Sequence, residues 1–213
     1  MDLVFSLISL LILVYSAILH EIAHGLVAER LGDPTARLMG RLTLNPKSHI
    51  DPIMSITLPL LLIISGSPVI FGAAKPVPVD PFNLRDGRKD MALISLAGPA
   101  TNIGLAILAA ILIKLLVFAQ IGGAPGFFAE WFLLTVARLN LLLAIFNMLP
   151  IPPLDGSKIF SLVLPDKEAA VYLSFGSIGF FIIFFFLMFP IGGFSLGSVI
   201  GNLLIFSEHL LGL

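Results

Sequence analysis

Cysteine is absent from all 213 residues, and charge is scarce, at 12% of the chain. Without cysteine there is no disulfide framework, no thiolate-ligated zinc and no nucleophilic thiol. A soluble domain of this size usually carries about 25% charged residues. With 58% hydrophobic residues and a mean hydropathy of +1.06, the chain reads as an integral membrane protein crossing the bilayer several times. Net charge is −1, which leaves no electrostatic footprint for nucleic acid. No linker, charge block, low-complexity tract or repeat divides the sequence, so residues 1–213 read as one membrane domain. The first apolar run lacks a basic flank and a small-residue cleavage site, and so reads as a span and not as a cleavable signal peptide.

What is present is a set of apolar segments. Leu3 to about Leu31 predicts one long helix, stopped by Gly32-Asp33-Pro34. Ala36 to Leu44 mixes apolar and basic residues in partial alternation and suits a short strand or hairpin. Ile53 to Ile64 is about a dozen residues, near 18 Å as a helix against a bilayer core of about 30 Å, so it reads as re-entrant or interfacial. Val69 to Val79 contains Gly72, Pro76 and Pro78 and favours extended backbone. Met91–Phe118 and Phe127–Leu149 are full spans. Ala169–Phe189 is another, and Phe194–Leu213 a weaker one. The expected fold is thus all-α and polytopic, with about five to six transmembrane or re-entrant helices. Small β-hairpin or re-entrant strands are expected near the cytoplasmic face.

Basic residues give this arrangement a direction. Arg30, Arg37, Arg41 and Lys47 follow the first span, Lys75, Arg85, Arg88 and Lys89 precede the next, and Lys158 and Lys167 follow Leu149. Residues 1–13, 119–126 and 190–198 contain neither Lys nor Arg. The positive-inside rule then puts the N-terminus outside and these three groups in the cytoplasm, provided that residues 51–74 do not cross.

At the inner end of the first span stands His20-Glu21-Ile22-Ala23-His24-Gly25. Seventeen uncharged residues, Leu3 to Leu19, precede it. Helix positions four apart share a face and rise by about 6 Å, so both imidazoles reach one ion. Glu21 lies beside them, as in the H-E-x-x-H pattern of zinc metalloproteases. Ionisable side chains are costly in lipid and mark function there. A catalytic zinc takes three protein ligands and keeps one open position. Asp155 ends a span on the same predicted side, which makes it the first choice for the third ligand; His49 is the alternative. Asn140 and Asn147 lie seven apart on one helix face, and Asn140 either supports the site or knits helices. Asn102 either bonds near the metal or, with Gly98 and Ala100, serves close packing. Arg138 lies mid-span and needs a carboxylate, carbonyl or water. Lys114 snorkels toward the outer interface.

HEIAHG, the segment Gly98-Pro99-Ala100-Thr101-Asn102 and the run from Asn147 through Pro150-Ile151-Pro152-Pro153-Leu154-Asp155-Gly156 together resemble the site-2 protease family of intramembrane zinc metalloproteases. Gly40–Pro46 and His49-Ile50-Asp51-Pro52 resemble its short prokaryotic branch, without the PDZ or CBS domains of longer members. The resemblance covers roughly residues 15–160. It implies a single Zn2+ held by His20, His24 and Asp155, with Glu21 as general base. Asn147 matches the family asparagine eight residues before the aspartate, which steadies the substrate carbonyl or oxyanion. The implied activity is hydrolysis of a peptide bond in a membrane-spanning or membrane-associated protein, at the cytoplasmic side of a prokaryotic cell membrane. Whether the chain forms a homo-oligomer is left open. Two other readings fit the residues: a zinc carrier or sensor without hydrolysis, and a membrane metalloprotease that takes peptides from the cytoplasm. Edge strands at Ala36–Leu44 and Val69–Val79 are the expected docking places for an unwound substrate.

Overall fold

The computed structural model describes residues 2–65, 74–190, 192–193 and 195–213. Its first helix, α1 (Asp2–Leu31), continues through the HExxH motif without interruption. It stops where Gly32 takes φ +113°, a backbone conformation that costs glycine nothing. There the Asp33 N–H bonds back to Ala28 O at 2.9 Å and the Gly32 N–H to Glu29 O at 3.1 Å, the paired closure of a Schellman end. A one-turn helix, α2 (Thr35–Leu38), follows directly. The stretch expected as a strand, Ala36–Leu44, therefore begins in a helical turn. Asp33 starts that turn by accepting from the Thr35 N–H, and Gly40 at φ +65° ends it, with the Arg41 N–H on Ala36 O at 2.9 Å. The apolar alternation that suggested a strand is divided between this one helical turn and the turn and bends that follow it. No strand occurs among the described residues.

Pro46–His49 forms a 3-10 turn, Pro52–Thr57 a π-helical turn and α3 (Leu58–Ile64) a helix of seven residues. None is long enough to cross a bilayer, as the sequence indicated. Of the expected extended segment Val69–Val79, residues 69–73 lie outside the described residues. Residues 74–80 belong to no helix and join no ladder.

The body of the molecule consists of α1, α4 (Gly87–Phe118) and α5 (Gly123–Asn147). These three helices are long and apolar enough to cross a membrane. Small residues make their contacts close: Ala106, Ala109 and Ala110 of α4 and Ala137 and Ala144 of α5 are all buried. Large residues point the other way. Leu3, Leu7, Leu10 and Leu11 of α1 and Ile103, Ile107, Ile111 and Leu115 of α4 are exposed, at the three- and four-residue spacing of one helix face. Such apolar stripes on the outside, over a polar interior, are what lipid as solvent requires.

After α5 the chain does not run extended through its prolines. It turns tightly, with Ile151 N–H on Leu149 O and Leu154 N–H on Ile151 O, and Pro152–Pro153 is cis. The turn leads into α6 (Asp155–Phe160), α7 (Asp166–Ser174) and α8 (Gly176–Met188). The Tyr172 hydroxyl donates to Pro150 O at 2.7 Å and pins α7 on the turn. The last two of these helices form a bent pair at 66°, which adds a fourth span if counted as one. The final helix, α9 (Leu196–Leu211), packs Leu196 and Ile200 on Ile145 and Phe146 of α5, on Leu149 just beyond it and on Ile183 of α8. Arg138, the mid-span cation, finds its carboxylate here. Glu208 of α9 receives its Nε at 2.7 Å and an Nη at 3.2 Å.

Candidate metal centre

The second half of α1, the first half of α4 and the end of α5 meet at one level, and the turn into α6 adds Asp155 there. His20 and His24 face the same way from consecutive turns of α1. Their Nε2 atoms lie 3.1 and 3.2 Å from Asp155 Oδ2. The three ligand atoms fall within 4.8 Å of one another, and all three residues are buried. Zinc bonds of about 2.0–2.2 Å in a tetrahedral shell give ligand-to-ligand edges of about 3.3–3.6 Å, so the separations suit one ion. His49 is not in this group. It is buried with Nε2 on Thr43 O at 2.8 Å, six residues away along its own loop.

Hydrogen bonding decides which nitrogen of each histidine faces the ion. His24 Nδ1 lies 2.6 Å from the carbonyl of Ile94, which can only accept, so Nδ1 carries the proton. Pro99 has no N–H and loosens the helical ladder in the turn before it, beside that carbonyl. For His20 the constraint passes through three helices. Asn140 Nδ2 donates to Val136 O and to Ser16 Oγ, which leaves Asn140 Oδ1 to accept from Asn102 Nδ2 at 2.7 Å. Asn102 Oδ1 then faces His20 Nδ1 at 2.5 Å and accepts its proton. Both amides are fully buried. Their orientation follows from one backbone carbonyl that cannot donate. Both Nε2 atoms are thereby left as lone pairs, the state a metal needs, and partners of this kind are the usual support of ligating histidines.

Gly98 completes the geometry. A Cβ at this position would lie 2.5 Å from His20 Cε1 and Nε2 and 2.6 Å from His24 Nε2. The G-P-x-x-N segment therefore serves the site twice, through the missing side chain of Gly98 and the amide of Asn102. Gly156 has a similar duty, since a Cβ there would strike the carbonyls of Met148 and Leu149 and push Asp155 out of place.

Asp155 sits at the start of α6, where carboxylates are favoured by the helix dipole. Burial opposes its charge. The Lys158 ammonium, 3.3 Å from Oδ1, works against that cost and favours the carboxylate. It enters the site as an anion. Lys158, three residues on along the same short helix, was not singled out from the sequence as part of the site. Its spacing from Asp155 was the available signal.

A cavity of about 320 Å³ opens on the three ligands and is also lined by Glu21, Asn147, Val77 and Lys158. Asn147 donates one N–H to Leu143 O at 3.0 Å, one turn back on its own helix. An amide nitrogen carries two hydrogens, so a second donor remains. Asn140 is not on the cavity wall; it belongs to the chain of amides behind His20.

The sequence profile of peptidase family M50 matches residues 119–190. YwhC of Bacillus subtilis, which carries the name of a zinc metalloprotease, is 36% identical over 191 residues, spanning 86% of this chain and 81% of YwhC. The chain belongs to peptidase family M50, the site-2 protease family. It is accordingly a membrane-embedded zinc metalloprotease, and among the described residues His20, His24 and Asp155 form a group that could hold the metal. Rip2 of Mycobacterium tuberculosis, also named a zinc metalloprotease, is 36% identical over 144 residues, 66% of this chain and 51% of its own length. A Methanocaldococcus jannaschii relative with a similar name is 39% identical over 93 residues, 43% of this chain and 45% of its own. No solved structure matches the chain.

Proposed function

We propose that this protease hydrolyses a peptide bond of a membrane-spanning or membrane-associated protein at the cytoplasmic side of a prokaryotic membrane, with Glu21 as general base. The observation that carries this reading is Glu21 itself. It lies next to His20 on α1 and lines the same cavity as His20, His24, Asp155 and Asn147. Two imidazoles and a carboxylate suffice to bind zinc; a further carboxylate beside them is what hydrolysis adds.

Zinc held by His20, His24 and Asp155 would supply a Lewis acid and bring the pKa of water toward about 7. Glu21 is placed to accept one proton from the attacking water as the new C–O bond forms at the scissile carbonyl carbon. It later returns the proton to the leaving amine, so that one water is consumed and two chain ends appear. The second N–H of Asn147 is the donor for the carbonyl oxygen as negative charge gathers there. Gly98, Asn102 and the Ile94 carbonyl hold both imidazoles in place throughout. Arg30 in the last turn of α1, Arg88 and Lys89 in the first turn of α4, and Lys158 of α6, which lines the cavity, support the cytoplasmic placement through the positive-inside rule.

Purified wild type and Glu21→Gln are to be compared for bound zinc and for cleavage of a panel of single-span substrates. The expected result is one zinc per chain in both, with cleavage abolished in the variant. Undiminished cleavage by Glu21→Gln, or a wild type without metal, refutes the reading. A soluble peptide panel run beside it separates true membrane substrates from peptides taken out of the cytoplasm.

A further inference from the structure

Beside the metal ligands runs the segment 74–80, Ala-Lys-Pro-Val-Pro-Val-Asp, which belongs to no helix or strand. Pro76 and Pro78 have no N–H. Val77 is thus left with an isolated N–H between two positions that cannot donate. That N–H donates to Glu21 Oε2 at 2.7 Å. The segment is tied on both sides of this contact. Lys75 N–H bonds to His49 O at 2.8 Å, and Asp80 N–H to Asp33 Oδ2 at 2.8 Å. Arg41, only 5% exposed, places Nη2 on Lys75 O at 2.6 Å and on Pro76 O at 3.2 Å. Among the described residues Arg41 has no carboxylate within ion-pair distance, so its guanidinium serves these carbonyls. Glu21 and Gly25 are one turn apart on the same face of α1. Val77 lies against both: its N–H meets Glu21, and its Cγ1, with Leu42 and Ala36, closes the space beside Gly25, where a Cβ would stand 3.1 Å from it.

We propose that Val77 is a positioning residue for the reaction: its backbone N–H holds Oε2 of Glu21 and so presents Oε1 as the oxygen that takes and returns the proton. The terminal torsion of a glutamate is broad, with no single staggered well to set the carboxylate plane. An oriented donor sets that plane. Two prolines make the donor unambiguous, and Arg41 keeps the segment from sliding along α1. Because the contact is made by backbone, no side-chain motif announces it; the mark it leaves in the sequence is the alternation Pro76-Val77-Pro78. The proposal rests on Glu21 being the general base.

Two variants remove the donor. Val77→Pro deletes the N–H, and replacement of Val77 by its α-hydroxy acid swaps the amide for an ester and keeps the side chain. Zinc content, kcat and KM on a single-span substrate are measured for both. Amide hydrogen exchange at Val77 is followed in wild type and in Glu21→Ala. The expected outcome is unchanged zinc, kcat lower by about 10–100-fold as befits a misplaced base, and unchanged KM. Val77 exchange should be slow in wild type and at least about tenfold faster in Glu21→Ala, a result independent of turnover. Wild-type kcat in the ester variant overturns the proposal, as does a loss confined to KM, which would make the segment a substrate contact. Equal Val77 exchange in wild type and Glu21→Ala also overturns it. If Val77→Pro does not fold, the ester variant decides. Full activity in Glu21→Gln instead brings down the general-base reading, and is distinguishable because the exchange comparison still reports the contact.

Discussion

Replacing Gly98 with alanine tests the metal centre most directly, because the structure sets the size of the disturbance. The added methyl would stand 2.5 Å from His20 Nε2 and 2.6 Å from His24 Nε2, the two atoms that face the metal. Non-bonded heavy atoms settle near about 3.5 Å, so rings and methyl must separate by about 1 Å. Metal–ligand bonds tolerate about 0.2 Å. The imidazoles cannot retreat freely, because His20 is bonded to Asn102 and His24 to Ile94. Both partners belong to α4, the helix that carries Gly98, so moving α4 away from α1 breaks those bonds instead. We expect zinc affinity to fall by about 100-fold or more, about 2.7 kcal/mol, the upper end of what loss of a supporting partner costs. Gly104, six residues further along α4, has nothing within 4 Å of its would-be Cβ. Gly104→Ala should bind zinc normally and gain about 0.5–1 kcal/mol of helix stability. The assay is zinc titration of chelator-stripped protein in detergent against a chromophoric competitor, with thermal unfolding run on both variants. Wild-type affinity in Gly98→Ala refutes the geometry. Equal loss in Gly104→Ala would mean that α4 is merely intolerant of alanine.

The chain of amides behind His20 predicts that Asn102→Leu lowers zinc affinity by about 10–100-fold; normal affinity would show that the amide does not control the His20 tautomer. Asn147→Ala should keep its zinc and lose about 10²–10³ in kcat, the effect of removing one oxyanion donor; unchanged kcat would show that its second N–H meets no substrate. Asp33 is opposed by burial, but the Thr35 hydroxyl, the Asn83 amide and the N–H groups of Asp80 and Thr35 hold its carboxyl below the usual value. Its stabilising effect is therefore present above its unfolded pKa of about 3.9 and lost as pH falls through the lower folded value. Asp33→Asn should cost about 1–3 kcal/mol at neutral pH, and its unfolding temperature should converge with that of wild type on acidification below about pH 4. A gap that does not change with pH would contradict this assignment.

Much of the site could be read from residue order, and the parts that could share one property: they are local. The four-residue spacing of His20 and His24 puts both on one helix face whatever the helix packs against. The absence of charge from Leu3 to Leu19 makes that helix a span in any fold. Even Asp155 was reachable, because charge placement along a membrane chain reports which end of each helix shares a side. The misreadings come from patterns whose outcome depends on a partner. Ala36–Leu44 alternates like a strand, but a strand needs a neighbour to pair with. Here Asp33 accepts from the Thr35 N–H and Gly40 takes a positive φ, and the backbone between them makes a helical turn instead. The prolines between Asn147 and Asp155 take part in a tight turn whose carbonyls lie close against Gly156 and Gly179, segments that only the folded chain brings together.

By itself, then, the sequence determined a membrane-spanning helical protein with two imidazoles, a carboxylate beside them and an aspartate able to join them. The tertiary structure alone decided the rest. Val136 O, through Asn140 and Asn102, sets which nitrogen of His20 is free, across separations of 38 and 82 residues. Glu208 meets Arg138 from 70 residues away, and Val77 reaches Glu21 from 56. Side-chain periodicity specifies which face of a helix is apolar. It does not specify which donor a buried acceptor will meet, because that depends on how closely three helices approach and at what register. In this protein small alanines and one glycine opposite the histidines set that approach.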